Sequence, residues 1–386
     1  MMPTISRAVL MAAAGVAVAL GAGVPSSAGR AAAGGKPGWR LVLPVTAYVS
    51  TGYPDVVRPV RLATRKLLAP VRVRGQAFPL AVTPDGRTVV AVTYVGHNRT
   101  IVSLIAAATG KAYRAVKFTG FAFVWPVAFT PDSKTAYVVN DAWAGTVFPI
   151  QLSTGHLGRP IDVGHDPQGM AITPDGKTLY VTNEESGTVT PVRTATNRTL
   201  RPIRVGRMPG AIAITPDGET AYVDSETTDA VTPIRVATNT ALKPIKAGRP
   251  AGFPDPQSIV ITPDGKTVDR LDLGGVTPIS VAANRPRKEI HVEPLSDRLA
   301  MTPDGKIVDA IDLLYGVVTP IRTATNAALP KIRISQPIAA VAFTPDSRFI
   351  YIGTMGGLLI PVRISTGKRG RAIRLPGIMN TFAIAP

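Results

Sequence analysis

A short turn sequence, Thr-Pro-Asp followed by Gly or Ser, returns seven times along this chain. It begins at Thr83, Thr130, Thr173, Thr215, Thr262, Thr302 and Thr344. The intervals are 47, 43, 42, 47, 40 and 42 residues, so the chain is a tandem array. A period near 40 residues is one supersecondary unit, and neighbouring units must stack to bury a core. About 15 residues after each turn comes a second motif, Thr188-Val189-Thr190-Pro191-Val192-Arg193-Thr194-Ala195-Thr196-Asn197 in the third unit. Its relatives begin at Val231, Val276 and Val318, with looser versions at Val147 and Leu359. A basic, alternating segment follows, as in Arg201-Pro202-Ile203-Arg204-Val205-Gly206.

The third unit reads as four short strands. Met170-Ala171-Ile172-Thr173 is apolar, and Pro174-Asp175-Gly176 turns the chain. Proline presets φ, aspartate bonds the turn backbone, and glycine accepts positive φ. Residues 178–183, Thr-Leu-Tyr-Val-Thr-Asn, carry the β-branched and aromatic side chains of a second strand. Residues 188–193 form a third, and after the Thr196-Asn197 turn residues 201–205 form a fourth. Four antiparallel strands per 40–45 residues is a propeller blade.

Ile172–Gly176, Tyr180-Val181-Thr182-Asn183 and Thr188–Asn197 together resemble the YVTN-repeat β-propellers of bacterial surface and secreted proteins, over nearly all of residues 47–386. Residues 47–50, 56–63 and 69–75 match strands two, three and four but lack a strand one. Phe382-Ala383-Ile384-Ala385-Pro386 matches strand one and then stops. The two ends therefore complete one blade, leaving no open edge at the seam. The expected fold is all-β, a single propeller of eight blades over residues 47–386; the alternative is seven blades with one degenerate unit displaced.

Arg7 precedes an apolar run over residues 8–24, and Pro25-Ser26-Ser27-Ala28 provides a small-residue exit. Residues 1–28 thus read as a signal peptide and residues 29–46 as a flexible leader, which predicts a secreted, cell-surface or periplasmic protein. The mature chain has no expected membrane span. With no cysteine among 386 residues, disulfides, thiolate metal sites, thioether-linked haem and cysteine nucleophiles are excluded. Four histidines (His97, His156, His165, His291) and three tryptophans leave no imidazole cluster or tryptophan docking motif, and no Gly-x-Ser-x-Gly elbow exists.

The net charge is +18. Equivalent fourth-strand positions hold Arg72, Lys117, Arg204, Lys246, Arg333 and Arg374, with Asp162 and His291 in the other two blades. Lys, Arg and proline on an outer edge protect it from pairing with other chains. The same residues can form a rim for a polyanion such as a cell-envelope polymer. Sequence-specific nucleic-acid binding is not expected, because few aromatics stand among the charges.

Strand one starts, and strand two ends, on one face of the disc, here called the top. Variable residues converge there on the channel mouth. The candidate ligand positions are Trp125, Gln168, Asn183, Gln257, Asp272, Asp297, Asp312 and Asn380. The fifth and sixth repeats depart from Tyr-Val-Thr-Asn, carrying Asp269-Arg270-Leu271-Asp272 and Asp309-Ala310-Ile311-Asp312. Asp272, Asp312 and Asp297 form a candidate hard-cation site; otherwise these aspartates face solvent or pair with arginine, as Asp269 beside Arg270. No catalytic set is legible and no cofactor is required, apart from such a divalent cation. The sequence therefore predicts an exported non-enzymatic binding or scaffold protein with a protein or envelope-polymer partner. The alternative is a metal-assisted hydrolase similar to the lactonase propellers, with a cation at the mouth polarising an ester.

Overall fold

The computed structural model describes residues 45–52, 55–95, 99–120, 127–140, 145–225, 228–248 and 259–385. Residues 1–44, which include the expected signal peptide and most of the leader, lie outside them. No helix among the described residues is long and apolar enough to cross a membrane.

Eight antiparallel sheets follow one another along the chain, each a blade. Blade 1 joins Thr46–Gly52 and Asp55–Arg61 to the C-terminal strand Met379–Ala385. Ala47 pairs with Ile384 and Val49 with Phe382, so the two chain ends close the ring as expected. Blade 2 begins with Ala77–Val82, blade 4 with Pro167–Ile172, and blade 8 with Ile338–Phe343. The fifth and sixth repeats are blades 6 and 7. The only helix among the described residues is a single 3-10 turn, Val236–Thr238.

The Thr-Pro-Asp turns are structural. In blade 4 the Thr173 hydroxyl donates to the Asp175 carboxylate (2.6 Å) and accepts from the Thr178 N–H (3.1 Å), while Lys177 N–H also donates to Asp175 (3.0 Å). Those donors, the Thr173 hydroxyl foremost, hold the Asp175 pKa down at about 2. Gly176 closes the turn at φ 72°.

Proline in the third strand shapes the outer edge. Seven blades have proline opposite the third residue of the second strand, as in Tyr180↔Pro191 and Asp269↔Pro278. Without an N–H, proline cannot donate to the outer ladder. In blade 4 the outer strand accordingly splits into Arg198–Thr199 and Ile203–Arg204. Blade 2 has Leu104 at this place, opposite Val90, and its outer strand Lys111–Thr119 is unbroken.

The apolar clusters lie between blades as well as within them. Val90, Val92 and Leu104 of blade 2 pack with Val138, Phe148 and Ile150 of blade 3. A polar latch joins three successive pairs. The tyrosine of the second strand donates its hydroxyl to the asparagine side chain in the next blade's outer turn: Tyr137 to Asn197 (2.9 Å), Tyr180 to Asn239 (2.5 Å) and Tyr222 to Asn284 (2.9 Å). Each asparagine sits in the left-handed region, φ 47–53°, where it is better tolerated than most L-residues. Asp269 and Asp309 occupy the tyrosine position in blades 6 and 7.

Candidate functional site

The second-strand ends form a buried ring at the top face. Thr51, Thr93, Asn140, Asn183, Ser225, Asp272, Asp312 and Thr354 are all buried. Several close against the glycine that leads into their own blade. A Cβ at Gly164 would come within 2.7 Å of the Asn183 side chain, and one at Gly248 within 2.0 Å of Asp272. That tight fit explains why glycine recurs there.

Among the predicted ligand residues, Trp125 and Gln257 lie outside the described residues. Gln168 is buried and donates its amide to Asp166 (2.8 Å). Asn183 donates to the hydroxyls of Thr188 (3.2 Å) and Thr190 (2.9 Å). Asp312 is buried and accepts from the Tyr315 N–H (2.8 Å); burial pushes its carboxyl pKa up. Asn380 is half-buried. Four of these residues keep one buried polar atom with no hydrogen-bond partner among the described residues: Gln168 Oε1, Asn183 Oδ1, Asp312 Oδ2 and Asn380 Nδ2. Buried polar atoms are normally satisfied by protein, water or ligand, so this ring is poised for polar company.

The aspartate trio is not brought together. Asp272 turns into a buried ion cluster, where Arg270 donates to it (2.5 Å) and to Asp224 of blade 5 (2.7 Å). Arg270 also bonds the Ala247 carbonyl, and Thr277 donates to the second Asp272 oxygen. Burial raises the Asp272 pKa, and Arg270 acts against that shift. Asp297, by contrast, is exposed and stays beside Asp312 in blade 7, its N–H donating to the Ile311 carbonyl (2.9 Å). Among the described residues no three His, Asp or Glu side chains stand close enough to hold a metal ion. The expected pairing of Asp269 with Arg270 is also corrected: adjacent strand residues face opposite sides of the sheet, and Arg270 bonds Asp224 and Asp272 instead.

Sequence reasoning missed the Arg270 cluster and an exposed apolar group on the same face. Leu273, Leu295, Leu314 and Tyr315 are exposed in the top loops of blades 6 and 7, and Ile378 in the loop entering blade 1. The signal was present in the paired Leu-Gly and Leu-Tyr-Gly loops. At the rim, Arg72, Lys117, Arg204, Lys246, Arg333 and Arg374 are all exposed on the outer strands.

No family model matches the chain, and no curated protein matches it. Solved structures do. Hydrazine synthase of Kuenenia stuttgartiensis is 25% identical, with a TM-score of 0.51, covering 62% of this chain and 76% of that one. A dihydro-heme d1 dehydrogenase, NirN, in complex with DHE is 14% identical, with a TM-score of 0.68, covering 88% of this chain and 74% of that one. The second likeness shows the fold, a bacterial-type β-propeller. Both proteins are enzymes by name, and the first is the more similar in sequence. That finding overturns the expectation of a non-enzymatic scaffold.

Proposed function

We propose that this chain is an enzyme, or the propeller of one, working on a small polar substrate at the top mouth of the channel. The observation that carries the reading is the set of unsatisfied buried atoms at Gln168, Asn183, Asp312 and Asn380. Three of the four are oxygens, which accept; a substrate rich in N–H or O–H donors suits them. The likeness to hydrazine synthase supports nitrogen-hydrogen compounds as the first substrates to try. Membership of the YVTN-repeat family and export by the N-terminal segment complete the proposal, on the repeat motifs and the signal-like residues 1–28.

A second reading keeps the cation. Asp312 Oδ2 is unpartnered at the top face, so a hard cation held there could polarise an ester or lactone. Asp272 takes no part in this version.

One experiment addresses both. The purified protein is assayed for turnover of hydrazine and hydroxylamine, and separately for hydrolysis of aliphatic and aromatic lactones with and without added calcium. Gln168→Leu and Asp312→Asn are run beside it. Turnover of the nitrogen compounds that falls in Gln168→Leu supports the first reading. Calcium-dependent lactone hydrolysis lost in Asp312→Asn supports the second. Turnover untouched by either variant removes the mouth as the site, and no turnover with either substrate set overturns both readings.

A further inference from the structure

The basic charge is one-sided. Residues 45–75 and 315–385, which form blades 8 and 1 and the outer part of blade 7, hold fifteen Lys and Arg against two acids, Asp55 and Asp346. Residues 76–314 hold twenty-four against twenty-three and are nearly neutral. Thirteen of the net +18 charges therefore belong to one arc of the disc, centred on the seam where the two chain ends close it. An even basic belt, as the outer strands alone suggest, is not what the chain presents.

At that seam the interblade latch is altered. Tyr351 occupies the same place in blade 8 as Tyr180 in blade 4, opposite Pro361. The left-handed slot that faces it from blade 1 holds Arg65, at φ 57°, where four other blades have asparagine. The Tyr351 hydroxyl consequently has no hydrogen-bond partner among the described residues, whereas Tyr137, Tyr180 and Tyr222 donate to an asparagine oxygen and Tyr48 to the Ala107 carbonyl. Burial pushes its pKa up to about 12, with Arg65 acting against the shift, so the hydroxyl stays protonated and able to donate. A groove of about 240 Å³ opens beside it, lined by Thr64, Arg65, Phe349, Tyr351 and Pro361 among others. Arg363 stacks over the Phe349 ring, 5.5 Å from its centroid, adding a second guanidinium beside the groove. The one acid of blade 8, Asp346, is already engaged by the Thr344 hydroxyl (2.6 Å) and the Arg348 N–H (3.1 Å).

We propose that this seam groove is an anion site, in which the Tyr351 hydroxyl and the Arg65 guanidinium hold one phosphate of a linear phosphate polymer. The phosphate oxygen takes the place that the asparagine oxygen fills at the latched interfaces. The surrounding arc, with Arg61, Arg72, Arg363 and Arg374, neutralises the neighbouring phosphates along the polymer. Phosphate is favoured over nucleic acid as a class because the groove offers no stacking platform: Phe349 is buried under Arg363 and Tyr351 is buried at the blade interface. The site lies on the seam, at the face opposite the channel mouth, and does not depend on the function proposed there.

The test is binding of inorganic polyphosphate to the full chain, followed by calorimetry at 50 and 200 mM salt. Arg65→Asn restores the asparagine of the latched blades, so it should fold with an equal or higher melting temperature. It should nevertheless bind polyphosphate about tenfold more weakly, with a salt slope shallower by about one charge. Tyr351→Phe should weaken binding severalfold. Arg193→Asn, the same kind of change on the far side of the disc in blade 4, should leave binding as it was. Equal affinity in Arg65→Asn and wild type would overturn the proposal, as would an equal loss in Arg193→Asn, which would mean only diffuse charge. Heparin or oligothymidylate binding as tightly as polyphosphate at matched charge would overturn the choice of phosphate polymer.

Discussion

Asp309 should make the ring less stable as the solution becomes more alkaline. It sits in the tyrosine position of blade 7, 2% exposed, and its Oδ1 has no hydrogen-bond partner among the described residues. The slot it faces in blade 8 holds Gly367 (φ 64°) where latched blades have asparagine. Burial raises its pKa from 3.8 to about 7. Between those values the folded chain holds a proton that the unfolded chain has released, so stability falls with rising pH. The neutral carboxyl carries no penalty below the unfolded value, and the full penalty is present above the folded one. Roughly three pKa units at about 1.4 kcal/mol each give an upper value of about 4 kcal/mol. Asp309→Asn keeps the shape and removes the ionisation. It should be nearly neutral at pH 4 and stabilising by about 2–4 kcal/mol at pH 8. Urea midpoints of wild type and variant at pH 4, 6 and 8 measure this. Asp269, raised to about 7 by burial with Arg287 acting against it, tilts the wild-type curve in the same direction. Asp175, held at about 2, acts only at lower pH, losing its stabilising effect as pH falls through that value. A gap between wild type and Asp309→Asn that is the same at pH 4 and pH 8 would refute the reasoning.

Deleting residues 377–386 removes the inner strand of blade 1 with buried Met379, Phe382 and Ile384. At roughly 1.5–3 kcal/mol per side chain the loss is about 5–9 kcal/mol, enough to unfold a domain of ordinary stability; an unchanged melting curve by circular dichroism would contradict the closed ring. Tyr180→Phe removes one latch and should cost about 1 kcal/mol, read as a shift in urea midpoint that is absent when the same change is made in an Asn239→Gly background, where glycine accepts the left-handed backbone. Arg270→Met strands Asp224 and Asp272 as buried charges without their cation. It should cost about 3–5 kcal/mol, with more of the stability recovered on acidification than in wild type.

The architecture was legible because it is repeated. The turn tetrapeptide, the proline of the third strand and the incomplete units at the two ends each specify backbone geometry locally, and local signals survive in sequence. The latches were hidden because Tyr180 and Asn239 are 59 residues apart. Each also has an ordinary local explanation, tyrosine as a strand former and asparagine as a turn residue. Arg270 and Asp272 were misread for a different reason. Proximity in sequence suggested Asp269 with Arg270, but a strand alternates faces, so the residue two along is the partner. The mouth residues were identifiable as a ring, yet whether each was spent on its own blade could not be read without side-chain contacts. Asp272 is spent in full; Asn183, Gln168 and Asp312 are spent in part, each keeping one unsatisfied oxygen.

The departures from the repeat are not scattered around the disc. Blades 3 to 4, 4 to 5 and 5 to 6 are joined by a tyrosine–asparagine latch. Each of the next three interfaces departs from that pair: Asp269 replaces the tyrosine between blades 6 and 7, Asp309 and Gly367 replace both members between 7 and 8, and Arg65 replaces the asparagine between 8 and 1. The same half of the ring carries the exposed top-face leucines, the pair Asp297 and Asp312, and most of the net charge. Regions that bind and move are drawn from the less stable parts of a fold. The unlatched half should therefore open first, and more readily once Asp269 and Asp309 ionise. Amide exchange measures this by segment. Strand Ile307–Asp312 should lose protection between pH 6 and pH 8, after correction for the intrinsic rate, while strand Thr178–Asn183 keeps its own. Equal protection in the two strands at pH 8 would mean that the latches are decoration on a uniformly stable ring, and that ligand contacts alone distinguish its two halves.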